Sequence, residues 1–225
     1  MKIARSGKEL LEICAAEQIS LSEYAIRQEM ELKNVSREDL FAQMKITLDA
    51  MKESATAGRE KKVYSLSGLI GGDAYRLQQY CNTGNSLMGN GIVMAMAMAI
   101  SSSEVNGAMA SGAVVELMGG TPKMSLDAAA IIFKNVLGLV CDPVAGLVEI
   151  PCAKRNVSGA INALCTADMV MAGVNSKIPF DDAVAAMYKV GTGLPEELRE
   201  TALGGVAITE TGLKLKEKVF GKTNN

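Results

Sequence analysis

Cys141 and Cys152 stand eleven positions apart in the segment CDPVAGLVEIPCAKRNVSGAINAL, residues 141–164, and thiolates of this kind are the side chains here best suited to a soft metal. Pro143 follows the first cysteine by two positions and Pro151 immediately precedes the second. The prolines interrupt helix on both sides, so residues 144–150 are expected to form a loop or short strand. The spacing is too long for a CxxC hook, yet a rigid loop can present two such thiolates to one cluster. Buried free cysteine is a common core residue, and spacing alone leaves both readings open. The chain contains no histidine. Ser-His-Asp and Cys-His triads and the usual histidine-based zinc sites are therefore excluded, and any proton transfer must use Lys, Tyr, Cys, a carboxylate or bound water.

Other polar residues cluster nearby in sequence. Lys154, Arg155 and Asn156 follow the second cysteine directly, where Arg155 and Asn156 are candidate substrate contacts; a planar guanidinium suits a substrate carboxylate. A solvated helix start is the alternative. Gly71-Gly72-Asp73 is expected to open a helix, with Asp73 as its N-cap and the glycines allowing close backbone approach. This Gly-Gly pair lacks the spacing of a nucleotide-binding loop. Asn85 and Ser86, ahead of an apolar stretch, are further candidate substrate contacts, whereas Cys14, Cys81 and Cys165 lie in apolar or helical surroundings and read as core residues.

These groups must be positioned by helices. Three serine-led capping boxes, Ser6/Glu9, Ser20/Glu23 and Ser36/Asp39, announce three short amphipathic helices. In the third, Leu40, Met44, Leu48 and Met51 share one face, which is expected to pack on something. Residues 55–67 read as a linker. Beyond it the chain turns to Gly, Ala and Met, as in GIVMAMAMAI, AMASGAVVELMGG and GAINALCTADMVMAG, so close-packed internal helices are expected. Aromatic residues are only 4% and alternating β-type runs are scarce, which favours an all-α fold. The expected organisation is an N-terminal helical segment, residues 1–57, and a Gly/Ala/Met-rich helical catalytic domain, residues 58–225, closing with a capped helix after Gly205. Twenty-three basic against 25 acidic residues leave no positive field for nucleic acid or an anionic membrane surface. The absence of a signal-like N-terminus and of a spanning apolar run points to a cytoplasmic protein with reduced cysteines.

The string CDPVAGLVEIPCAKRN, with SGLIGGDA at 67–74, GAVVELMGGTP at 112–122, FKNVLGLV at 133–140 and LRETALGG at 198–205, resembles the α chain of the iron–sulfur L-serine dehydratases. The resemblance implies a lyase of amino-acid catabolism and gluconeogenesis, converting L-serine to pyruvate and ammonia. It implies a 4Fe-4S cluster ligated by Cys141 and Cys152, with an open iron acting as Lewis acid on the leaving hydroxyl. It also implies a separate β chain, in a heterodimer or higher oligomer. A pyridoxal-phosphate dehydratase is rejected, since that chemistry sits in an α/β fold with a Gly-rich phosphate cup.

Family members carry a long segment between Glu104-Val105-Asn106 and the stretch from Ala108, including a Gly-Gly-Cys that supplies the third ligand. The reading adopted is that such residues exist and that covalent continuity breaks between Asn106 and Ser111, with an open cavity beside Cys141 and Cys152. A natural deletion, or substitution by Cys81 or Cys165, is the alternative. The other functional reading is a non-catalytic, shortened α-like interaction chain without an assembled cluster.

Overall fold

A computed structural model describes residues 3–82 and 104–221. Asn85, Ser86 and the Met-rich stretch 91–100 lie outside the described residues. The fold is all-α: among the described residues there are nine α-helices and no strand. They are α1 (Gly7–Glu17), α2 (Leu21–Lys33), α3 (Arg37–Glu60), α4 (Asp73–Asn82), α5 (Glu104–Leu117), α6 (Pro122–Asn135), α7 (Cys152–Met171), α8 (Phe180–Gly193) and α9 (Glu210–Phe220).

All three serines cap their helices. Ser6, Ser20 and Ser36 each accept a hydrogen bond from the backbone N–H three residues on, at 3.1 Å in every case. Thr121 caps α6 in the same way with Pro122 at its first position, and Thr209 caps α9. The three N-terminal helices are joined by charge: Glu23 on α2 receives Arg37 from α3 and Arg27 from its own helix, while Arg27 also reaches Glu17 on α1.

The core is the packing of α5 against α6 and α7. Val115, Ala128, Ala167 and Val170 form one buried cluster, and Ala108, Ala129 and Ile132 a second, against which Phe133 and Phe180 pack. Small residues permit the close approach. A Cβ on Gly107 would lie 3.3 Å from the Gly159 carbonyl oxygen, so α5 and α7 touch nearly backbone to backbone there. The buried hydroxyls follow the same economy of space, Ser111 donating to the Ala108 carbonyl and Ser125 to that of Gly112.

The N-terminal helices dock on this core through borrowed caps. Asp181, in the first turn of α8, accepts from the N–H groups of Gly7 and Lys8 at 2.6 and 3.1 Å, and Glu116 of α5 accepts from the N–H and hydroxyl of Ser22 on α2. A carboxylate at a helix N-terminus satisfies orphan N–H groups and the helix dipole together.

Two expectations need correction. The linker expected from residue 55 is helical to Glu60, so only residues 61–72 connect α3 to α4. The apolar face of α3 is largely uncovered among the described residues: Leu40 is buried, but Met44, Leu48 and Met51 are 51%, 48% and 44% exposed. Helical periodicity identifies a face, and the chain's own elements leave this one open.

Candidate functional site

The two cysteines belong to different pieces of backbone. Cys152 is the first residue of α7, while Cys141 lies in the connector after α6, extended enough to bridge to Arg199. Its N–H donates to the Leu198 carbonyl at 2.9 Å and its carbonyl accepts from the Glu200 N–H at 2.6 Å, so the 198–200 segment fixes the Cys141 backbone on both sides. Between the cysteines the chain makes a short 3-10 turn, Val144–Gly146, with Ala145 at φ 60°, and a second turn over residues 148–151.

Arg155 joins the two pieces. Three positions after Cys152, and so one turn along α7, its Nη1 donates to the Val140 carbonyl at 2.9 Å and to the Asp142 carboxylate at 2.7 Å. Those are the residues flanking Cys141. Asp142 is 2% exposed, and its second oxygen accepts from the Val206 N–H at 2.7 Å. That contact depends on Gly205: with φ at +57°, a Cβ there would sit 2.1 Å from the Asp142 oxygen. The LGG turn, the aspartate after Cys141 and the arginine after Cys152 thus form one clamp. Arg155, read from sequence as a substrate contact, holds these two segments together through Nη1, with its side chain 30% exposed.

Burial pushes the Cys152 thiol up, with a backbone hydrogen bond and the Arg155 charge working against it and the Glu200 and Asp142 carboxylates adding to it. Such a thiol is protonated and inert as it stands; a bound cation is needed to hold it as thiolate. Cys14 is likewise pushed up by burial, then by Glu116 and Glu17, and its thiol faces the Ser20 carbonyl at 3.9 Å, in keeping with a core residue.

The donor set for a four-iron cluster is incomplete. Such clusters use four cysteines, or three with one iron left open. Among the described residues no group of three or more His, Cys, Asp or Glu is placed to hold a metal ion. Cys165 is exposed on α7, thirteen residues from Cys152 and so about 20 Å along the helix. The residues outside the described ones contain no cysteine. The Arg155 clamp thus joins the segments that carry Cys141 and Cys152, and among the described residues no third ligand completes a metal-binding group with them.

Asn156 is 6% exposed, and its Oδ1 has no hydrogen-bond partner among the described residues. Asp73 is the first residue of α4 rather than its cap; its carboxylate binds Arg76 and Lys154, the latter at 3.2 Å. Gly71 makes the close approach expected of it, bridged to Tyr64 with no room for a Cβ. Glu149, which sequence reasoning passed over, accepts hydrogen bonds from Ser65 and Ser67 across the 61–72 connector. Its place inside the CDPVAGLVEIPC string was the only available signal. The cavity expected beside the cysteines is not where an apolar recess of about 730 Å³ lies; that one is lined by α2, α5 and α6 residues such as Leu21, Ala108, Leu126 and Phe133.

This all-α frame, with paired cysteines clamped at a helix start, matches a family model described as serine dehydratase alpha chain over residues 16–109 and 106–207. The chain belongs to the serine dehydratase α-chain family. It is 39% identical to the probable L-serine dehydratase α chain of Bacillus subtilis (strain 168), over 96% of this chain and 95% of that one. It is 32% identical to the L-serine dehydratase α chain of Peptoniphilus asaccharolyticus, covering 94% and 96%. The probable L-serine dehydratase α chain of Latilactobacillus sakei is 56% identical over 51% of this chain and 55% of its own. The Bacillus alignment runs over 287 positions against a chain of 225 residues, so some sixty positions or more have no counterpart here. The two family matches meet at residues 106–109, within α5.

Proposed function

We propose that this chain serves in the dehydration of L-serine to pyruvate and ammonia, with Cys141 and Cys152 contributing two thiolates to a 4Fe-4S cluster. The observation that carries the reading is the Arg155 clamp, which grips both neighbours of Cys141 from one turn beyond Cys152. The clamp serves two cysteines that must act together. The third ligand is then the Gly-Gly-Cys cysteine that the resemblance places in the family segment without a counterpart here, and the relatives' names as α chains support a separate β chain as partner. A cluster with one open iron supplies a Lewis acid for the departing hydroxyl. The residues of this chain hold the thiols in place, keep Cys152 out of water and bury the charge that fixes Arg155. The reading sets the protein in the cytoplasm, where its cysteines stay reduced; no helix of the described residues is long and apolar enough to cross a membrane.

A second reading is favoured by one observation: among the described residues no group of three or more metal-ligating side chains is placed together. On it, the chain is a shortened α-like interaction protein with no assembled cluster. Anaerobic co-production with a β chain separates the two. The first reading expects a brown complex that contains iron and sulfide and forms pyruvate from L-serine, with both properties lost in Cys141→Ser and Cys152→Ser and kept in Cys14→Ser. A colourless, iron-free complex establishes the second, and full activity in Cys141→Ser excludes the first.

A further inference from the structure

A recess of about 450 Å³ lies between the end of α3, the 61–72 connector and the start of α7, and its lining includes Ser65, Asp73, Glu149, Lys154 and Asn156. Neither cysteine lines it. Its polar groups do not balance. The Asn156 side chain is 6% exposed and its Oδ1 accepts nothing from the described residues. Glu149 accepts from the Ser65 hydroxyl at 3.0 Å, from the Ser67 hydroxyl and, at 3.5 Å, from the Ser67 N–H. Those donors are all neutral. The nearby cations go elsewhere: Arg76 and Lys154 both pair with Asp73.

The recess thus contains a carboxylate without a counter-cation and a buried amide oxygen without a donor. One kind of group answers both deficits, a small cation carrying several N–H bonds. A buried acceptor gains most from a charged donor, and a carboxylate engaged only by neutral donors keeps its full charge for one. The Lys154 ammonium, on a side chain 70% exposed, stands at the edge 3.2 Å from Asp73, where a ligand carboxylate would share it with that residue. An ammonium and a carboxylate on one small molecule describe an α-amino acid.

We infer that this recess recognises the α-ammonium group of a small α-amino acid, with Glu149 as its counter-charge, Asn156 Oδ1 accepting one N–H and Lys154 facing the carboxylate. The inference rests on the reading of the chain as one that handles L-serine, and it adds where the amino acid is held. Asn156 recognises rather than reacts. Gly71 and Gly72 shape one wall, where a side chain at 71 would drive into the Tyr64 ring.

Titration calorimetry on the full-length chain tests this, with L-serine, ethanolamine, 3-hydroxypropanoate and potassium chloride as separate titrants. L-serine and ethanolamine, which share the ammonium, are expected to bind in competition. 3-Hydroxypropanoate, which lacks it, is not. Glu149→Gln and Asn156→Ala should each weaken L-serine roughly tenfold or more, while Lys123→Ala, an exposed residue of α6, should not. Helical circular dichroism of each variant establishes that it is folded, and the near-isosteric Glu149→Gln keeps the test decisive if Asn156→Ala is not. Unchanged L-serine affinity in folded Glu149→Gln, no binding by the parent chain, binding of 3-hydroxypropanoate equal to L-serine, or displacement of L-serine by potassium alone would each overturn the inference. Iron content is read separately in the Cys141 and Cys152 variants of the complex, so failure of the cluster reading and failure of the recess are told apart.

Discussion

Replacing Arg155 by Met removes the cation that joins the two cysteine-bearing segments while keeping most of the side chain's volume. Asp142, 2% exposed, then keeps only the Val206 N–H as a partner, and the Val140 carbonyl loses its donor. Breaking a fully buried ion pair by removing one partner costs about 3–5 kcal/mol. The Arg155 side chain is 30% exposed, so water reaches the vacated place and lowers the cost to the bottom of that range, about 3 kcal/mol. For a chain of this length that corresponds to a drop in the thermal midpoint of roughly 6–12 °C. Scanning calorimetry and urea unfolding measure it, with Asp142→Asn and the double variant closing a cycle whose coupling should exceed about 1 kcal/mol. Single variants within 0.5 kcal/mol of the parent, or additive effects in the double variant, would refute the clamp.

Gly205→Ala should destabilise by about 2–4 kcal/mol, because the left-handed backbone and the contact with Asp142 both exclude a Cβ; a urea midpoint equal to the parent's would mean that the turn yields. Hydrogen bonds from Arg37 and then Arg27 lower the Glu23 carboxyl from its ordinary 4.5 to about 2. A depressed acid stabilises above its unfolded value and loses that contribution as pH falls through the folded one. The thermal-midpoint gap between the parent and Glu23→Gln should therefore be full at pH 5 and close on approach to pH 2, and should shrink with added salt; a gap that widens on acidification contradicts the pairing. Met44→Asp and Leu48→Asp, on the open face of α3, should each change the isolated chain's stability by less than about 0.5 kcal/mol. A loss of about 2 kcal/mol in urea unfolding would show that the face is covered.

The parts of this fold legible in the sequence are those decided within a few residues. A capping box is read from two side chains three positions apart, and Ser6, Ser20 and Ser36 behave as their spacing requires. Fold class was legible for a related reason, since Gly, Ala and Met recurring over helical lengths leave little else to form. What escaped was every interaction chosen by tertiary placement. Nothing local distinguishes Asp181, which caps α1 from 174 positions away, from its neighbour Asp182. The same limit changed the meaning of Arg155. Its position beside Cys152 and its planar fork suggested a substrate carboxylate, and both properties are equally what an internal clamp needs; only the fold brings Asp142 within 2.7 Å of Nη1. Conversely, Glu149 carries no signal beyond its place in the CDPVAGLVEIPC string, yet it is a carboxylate in a recess without a counter-cation among the described residues. Buried charge and hydrogen-bond deficit are properties of three-dimensional neighbourhoods, so a site whose chemistry depends on an unmet partner becomes visible only after every other partner has been placed.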